Sequence, residues 1–193
     1  MNGPVRASTR LERDRSLLLV VDIQERLAPA IAGADAVVAR TFALMRVAGR
    51  LAIPVLATEH APDRIGPLIA PLRDALAPDA IRVKTRFGAA DEPGFGAWLA
   101  ARGRDQVVIA GMETHVCVMQ TALALAADGY RVFVAADATG SRAIRADDRR
   151  LALDRMRASG CTIAGTETIL FEWCGGADDP AFRDTLAIVK SLP

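Results

Sequence analysis

Cysteine is scarce in this chain of 193 residues: there are three, Cys117, Cys161 and Cys174, with no C-x-x-C pair among them. An odd, scattered set argues against a disulfide framework and against a thiolate zinc site, and it fits a reducing compartment. No apolar run approaches the ~18 residues that a membrane-spanning helix needs, so no membrane partner is expected. Neither sign of charge is in excess: 24 Lys and Arg face 23 Asp and Glu, for a formal net charge of +1. The charges are interleaved, leaving no basic stripe for nucleic acid and no acidic tail for a basic partner. Histidine is limited to His60 and His115. Residues 1–14 are charged and lack the apolar core of a secretory signal, which predicts a cytoplasmic protein. No internal repeat or low-complexity segment stands out. The length suits one well-buried core. A single domain over residues 1–193, with 1–15 as a polar leader and a small molecule as substrate, is the expectation.

What the chain does contain is an alternation of short apolar runs with longer helical patterns, the mark of repeated βα units and a parallel sheet. Strands are predicted at 17–21, 54–57, 81–83, 106–110, 131–135 and 162–164, and helices at 35–50, 66–76, 93–102, 114–128, 146–159 and 180–192. The first strand is apolar without alternation, as in a central strand covered on both faces. In the last helix Phe182, Leu186 and Val189 form one apolar stripe, which predicts docking on the sheet or on another subunit. Cys161 opens an apolar stretch and reads as core filling. Cys174 precedes Gly175-Gly176 and reads as a loop thiol.

Ligands of open α/β sheets bind beyond the carboxyl ends of the strands, so the residues just past each strand matter most. The first strand ends in Asp22, the third is followed by Lys84, and the fourth leads through Gly111-Met112-Glu113-Thr114-His115-Val116 to Cys117. Singly, each has a plainer reading: a capping aspartate, a solvated lysine, a buried structural cysteine. Together they supply a base, a cation and a nucleophile. Cys117 falls in or beside the first turn of a helix, where unpaired N–H groups and the macrodipole are expected to lower its pKa. Asp22, if desolvated, can take the thiol proton. Lys84 then does electrostatic work, and the N–H groups at the helix start offer an oxyanion site. That set describes acyl transfer through a thioester.

Leu17-Leu18-Leu19-Val20-Val21-Asp22-Ile23-Gln24, Lys84-Thr85-Arg86-Phe87 and Gly111-Met112-Glu113-Thr114-His115-Val116-Cys117 resemble, in order and spacing, the three signature blocks of the isochorismatase-like cysteine hydrolases. The resemblance runs over roughly residues 16–190. It is nearest to small isochorismatase domain-containing proteins of unassigned substrate. It implies a Rossmann-like, three-layer α/β/α fold with strand order 3-2-1-4-5-6, an Asp22-Lys84-Cys117 triad, and a cis peptide between Met112 and Glu113. That bond would aim the Glu113 and Cys117 N–H groups at the oxyanion. It also implies a homo-oligomer, dimer or higher, whose neighbouring subunits help to close the pocket.

Departures from particular members narrow the chemistry. Nicotinamidases of this superfamily carry a metal-binding Asp-x-His pattern and a further histidine between the second and third strands. Here that region offers Glu59, His60 and Asp63, one histidine only, so no metal or other cofactor is expected. Enol-ether-cleaving isochorismatases lack the nucleophilic cysteine that this chain has. The expected reaction is therefore hydrolysis of a C–N bond in a small amide, ureido or carbamoyl compound. Substrate contacts are expected from Gln24 and Glu59 at strand ends, from Phe87 as an apolar wall, and from His115, which sits two residues from Cys117 and is better placed to position the loop than to act as base. A dinucleotide-binding dehydrogenase would need a glycine-rich turn where Asp22-Ile23-Gln24-Glu25 stands. An aspartate-nucleophile phosphatase would need a second acid where Gln24 stands. An isochorismate-type enol-ether hydrolase, or a binding or scaffold protein that keeps the fold without turnover, are the remaining alternatives.

Overall fold

A computed structural model describes residues 9–193. In chain order its elements are β1 (Ser16–Val21), α1 (Ala34–Arg50), β2 (Val55–His60), the short α2 (Pro62–Ile65) and α3 (Ala70–Arg73), β3 (Ile81–Lys84), α4 (Phe95–Ala100), β4 (Gln106–Met112), a π-helical turn (Thr114–Val118), α5 (Met119–Ala127), β5 (Arg131–Gly140), α6 (Ala146–Ala158), β6 (Thr162–Ala164), α7 (Thr166–Cys174) and α8 (Phe182–Lys190). The six strands form one parallel sheet in the order β3-β2-β1-β4-β5-β6. The order implied by the resemblance is the one observed.

β1 is buried along its whole length, and its period of two sends alternate side chains to opposite faces. Leu18 and Val20 meet α1, α7 and α8 through Val37, Leu44, Val47, Ile169, Trp173 and Ile188. Leu17, Leu19 and Val21 meet α4, α5 and α6 through Phe95, Leu99, Ala122, Leu125 and Met156. Helices on both faces of a parallel sheet explain why β1 and β4 read as unbroken apolar runs. The chain leaves β1 toward β2 on one side and later returns to β4 on the other. The crevice between the carboxyl ends of β1 and β4 is therefore the topological switch point. Among the described residues no helix is long and apolar enough to cross a membrane.

Four local expectations need correction. The helix expected over 66–76 is reduced to the single turn α3 (Ala70–Arg73), because Gly66 adopts φ 79° and Pro67 and Pro71 remove backbone donors. A whole helix, α7, lies where the sequence suggested a loop, and Cys174 is its buried last residue. β5 runs on to Gly140, past the 135 suggested by its β-branched residues, with a register shift between Ile109 and Gly111 of its partner strand. In α8 the buried positions are Thr185 and Ile188. Phe182, Leu186 and Val189 are half-buried beside them. The polar leader is anchored where it is described: Leu11 is buried and donates its N–H to Glu172 at 2.8 Å, and the Glu12 N–H donates to Gln106 at 2.8 Å. Residues 1–8 of that leader lie outside the described residues.

Candidate active site

The strand exits at the switch point are set by close backbone approach. Gly111 has φ 142°, and a Cβ there would stand 2.1 Å from the Val21 carbonyl oxygen. Only glycine lets β4 pass this near to β1. The peptide Met112–Glu113 that follows is cis, as the resemblance implied. At the end of β1, Asp22 takes φ 53°, a left-handed conformation that Asp and Asn tolerate better than other residues with a Cβ. Its N–H donates to the Thr58 carbonyl at 3.2 Å.

These exits bring three side chains together. The Lys84 ammonium lies 2.7 Å from Asp22 Oδ2, with both side chains fully buried. Lys84 also donates to the carbonyls of Arg86 and Phe87, at 3.1 and 3.2 Å, so the cation is held from three directions. The Thr58 hydroxyl donates to Asp22 Oδ1 at 2.7 Å. Cys117, 7% exposed, lies close enough to Asp22 and Lys84 for both charges to act on its thiol. Buried ions are tolerated only when paired and hydrogen-bonded, and this pair meets both conditions.

Cys117 corrects one expectation. Burial pushes its thiol up to about 12, with the Asp22 carboxylate adding to the rise and the Lys84 ammonium opposing it. The lowering expected from a helix start loses to desolvation and to a neighbouring negative charge. The resting nucleophile is therefore a protonated thiol with a carboxylate beside it.

The backbone around Cys117 is arranged for donation. Val116 and Val118 both donate to the Glu113 carbonyl, at 3.0 and 3.2 Å. Among the described residues no backbone hydrogen bond outside the helices and strands uses the Glu113 N–H.

The remaining expected residues are placed unevenly. Phe87 is 52% exposed and stacks on His60, ring centroids 5.3 Å apart. Burial and the Lys84 charge lower the His60 pKa, so at neutral pH it presents an uncharged imidazole on the same face of β2 as Thr58. Glu59 points to the opposite face, where it accepts the Leu68 N–H at 2.8 Å. Gln24 is buried, and its amide accepts the His60 N–H at 2.7 Å and donates to the carbonyls of His60 and Gly66. Gln24 and Glu59, expected beside a substrate, thus hold the β2 exit instead. Strand alternation also keeps Glu59 and His60 from sharing a ligand, and among the described residues no three His, Cys, Asp or Glu side chains gather. His115 meets Ser141, Nδ1 to Oγ 3.0 Å, rather than Cys117. Thr58, Ser141 and Arg142 are the site residues that sequence reasoning missed. A cavity of about 600 Å³ between residues 10–14 and α7 is lined by none of these residues.

Comparison with known proteins fits this arrangement. The isochorismatase domain model matches residues 16–168. Isochorismatase domain-containing protein 2A from Mus musculus is 32% identical over 182 residues, covering 94% of this chain and 85% of that protein. Isochorismatase domain-containing protein 1 from Salmo salar is 35% identical over 88% of this chain, which spans only 59% of that relative's length. Among solved structures, a MAR1 ribonuclease from Caenorhabditis elegans superposes with a TM-score of 0.87 at 30% identity, covering 96% of this chain and 95% of that one. YcaC from Pseudomonas aeruginosa, solved with covalent acrylamide, gives 0.85 at 27% identity over 94% and 92% of the two chains. The Escherichia coli YcaC gene product, described as an octameric hydrolase of unknown specificity, gives 0.83 at 28% over 97% and 91%. With the family model matched over most of its length, and a relative at 32% identity covered to 85%, this chain belongs to the isochorismatase family and carries that family's hydrolase fold.

Proposed function

We propose that the protein is a cysteine-dependent hydrolase of a C–N bond in a small amide, ureido or carbamoyl compound, working through a thioester with Asp22, Lys84 and Cys117 as its triad. The observation that carries this reading is the burial of one carboxylate, one ammonium and one thiol within mutual reach at three strand ends. As the Cys117 sulfur attacks the substrate carbonyl carbon, its proton passes to Asp22. The carbonyl oxygen gains the negative charge and receives the Glu113 and Cys117 N–H groups. When the tetrahedral adduct collapses, the C–N bond breaks and Asp22 returns the proton to the departing nitrogen. Water then attacks the thioester, Asp22 taking its proton, and the C–S bond breaks to restore the thiol. The products are a carboxylate or carbamate and ammonia or an amine. Lys84 neither gives nor takes a proton in this scheme; its fixed charge offsets the negative charge that moves between sulfur, oxygen and carboxylate.

A thiol whose pKa lies far above neutrality supports a base-coupled attack over a standing thiolate, because proton transfer and C–S bond formation then proceed together. His60 and Phe87 form the wall against which a planar carbonyl group would lie. The scheme needs no metal or other cofactor. The acrylamide adduct of the Pseudomonas relative supports a reactive nucleophile in this fold. The octameric Escherichia coli relative supports assembly of this chain from copies of itself. The cytoplasm is the setting that three free thiols suit. Ribonuclease activity, named for another relative, draws no support here from a formal net charge of +1 without a basic stripe.

The test is intact-mass analysis after incubation with a panel of small carboxamides, ureides and carbamates. The expected result is an acyl adduct on Cys117 that is absent from Cys117→Ala, with amine release. Turnover of a panel compound by Cys117→Ala refutes the mechanism. Isochorismate cleavage without an adduct favours the enol-ether reading. No adduct, and alkylation of Cys117 no different from that of an ordinary buried thiol, favours a binding protein.

A further inference from the structure

We propose that Arg142 and Ser141, at the exit of β5, form a clamp that fixes the donor loop Met112–Cys117 through Glu113 and His115, making these four side chains positioning residues for the oxyanion. This rests on the hydrolase reading above and specifies how its donor loop is held.

The clamp follows from sheet register. Met112 of β4 pairs with Gly140 of β5, so the residues after each leave the sheet side by side. Glu113 Oε2 accepts the Arg142 backbone N–H at 3.1 Å and its Nε at 3.0 Å. Two residues further on, His115 Nδ1 lies 3.0 Å from Ser141 Oγ. The β5 exit is itself anchored: Arg142 bridges Ile31, and the Ala32 N–H donates to the Ser141 carbonyl at 3.0 Å.

Glu113 is the hub of the donor loop. Its carbonyl accepts the N–H groups of Val116 and Val118, which flank Cys117. Its own N–H is one of the two donors proposed for the oxyanion. Whatever sets the orientation of residue 113 therefore sets both donors at once, and the loop's internal hydrogen bonds cannot do so because both converge on that same residue. The external restraint comes from its carboxylate. Burial would raise the Glu113 pKa, but the Arg142 hydrogen bonds and charge, with His115 behind them, hold it below the ordinary carboxylate value. The acceptor is thus ionised at neutral pH. An ion pair serving stability alone could sit anywhere on the surface; this one joins the donor loop to a neighbouring strand exit.

Two probes of the same thiol separate donor geometry from thiol reactivity. p-Nitrophenyl acetate acylates Cys117 through a tetrahedral oxyanion: the S–C bond forms, the thiol proton goes to Asp22 and p-nitrophenolate leaves with the bonding pair. Iodoacetamide alkylates the same sulfur by displacing iodide, with no oxyanion. Removing a whole oxyanion donor costs about 10²–10³ in rate, so loosening the loop in Arg142→Met or Ser141→Ala is expected to slow acylation about tenfold or more while alkylation stays unchanged. Glu113→Gln, which keeps an acceptor for the Arg142 N–H, should fall between these variants and wild type. The doubly substituted Glu113→Gln/Arg142→Met should be no slower than Arg142→Met, as expected for partners in one contact. Acylation at the wild-type rate in both Arg142→Met and Ser141→Ala overturns the clamp alone. So does an equal loss of acylation and alkylation in both. Wild-type protein that is alkylated at Cys117 but never acylated there overturns the hydrolase reading and the clamp with it.

Discussion

Replacing Asp22 by Asn should make Cys117 more reactive while abolishing turnover. Asn suits the left-handed φ of 53° at this position and can still accept the Thr58 hydroxyl, so the change keeps the shape and removes the charge that pairs the buried Lys84. In wild type the thiol pKa of about 12 leaves a thiolate fraction of about 10⁻⁴ at pH 8. Part of that elevation is repulsion from the Asp22 carboxylate. Burial is the larger part, so the carboxylate's share is about one pKa unit, or about 1.4 kcal/mol. The variant also leaves Lys84 unopposed beside the sulfur. Burial persists, so the thiol does not become freely acidic, but iodoacetamide alkylation at pH 8 should rise at least about tenfold. Amide hydrolysis by the same protein should vanish, because the departing nitrogen has lost its proton donor. The assay is time-resolved intact mass across pH 7–10, with thermal unfolding to verify that the variant is folded. A folded Asp22→Asn protein whose Cys117 alkylates no faster than wild type refutes the electrostatic account of the site.

Thr58→Val removes a 2.7 Å hydrogen bond to a buried carboxylate. A bond to a charged group is worth about 1.5–3 kcal/mol, so the melting temperature should drop by roughly 3–12 °C and Thr58→Ser should restore it. Gly111→Ala places a methyl 2.1 Å from a backbone oxygen of β1. It should cost more than about 4 kcal/mol and yield insoluble protein, whereas Gly49→Ala, in α1 with nothing within 4 Å, should stabilise by about 0.5–1 kcal/mol in a urea titration. The folded-state pKa of Cys117, raised from 9.0 to about 12, favours folding below pH 9. That contribution, about 4 kcal/mol by linkage, is lost as the pH rises from 9 toward 12. Cys117→Ala should show a correspondingly flatter loss of stability on alkaline titration.

The sheet was legible because its central strands are buried on both faces and so write themselves as unbroken apolar runs. The helices were legible where glycine and charge punctuate them. The structure departs from that reading where local composition and tertiary context disagree. Residues 66–76 carry apolar spacing, yet Gly66, Pro67 and Pro71 were visible breakers that outweigh it. α7 begins with Thr166-Glu167-Thr168 and is nine residues long, too short for its apolar positions to declare a period. It is held by tertiary contacts, with Asp137 of β5 accepting the Thr166 N–H and hydroxyl, both at 2.8 Å.

Asp22, Lys84 and Cys117 could be picked out because each is a chemically capable side chain just beyond a strand, and strand ends at a switch point converge whatever the details of register. Thr58, Ser141 and Arg142 could not, because their roles depend on register. Thr58 reaches Asp22 because it pairs with Val21 across the β1–β2 ladder. Ser141 and Arg142 reach the donor loop only because β5 extends to Gly140. Gln24 and Glu59 show the same limit from the other side: both lie at strand ends, but side-chain direction commits them to the backbone. The thiol pKa is the instructive case. Sequence position alone offers the helix start as the perturbing influence, which favours thiolate. The fold adds two stronger ones, exclusion of water and a neighbouring carboxylate, and both favour thiol. Under the proposed mechanism a cysteine poised this way stays protonated until a substrate arrives to accept the negative charge. On that reading the partner that makes Cys117 a nucleophile is Asp22, and the helix start would contribute its N–H groups to the oxyanion.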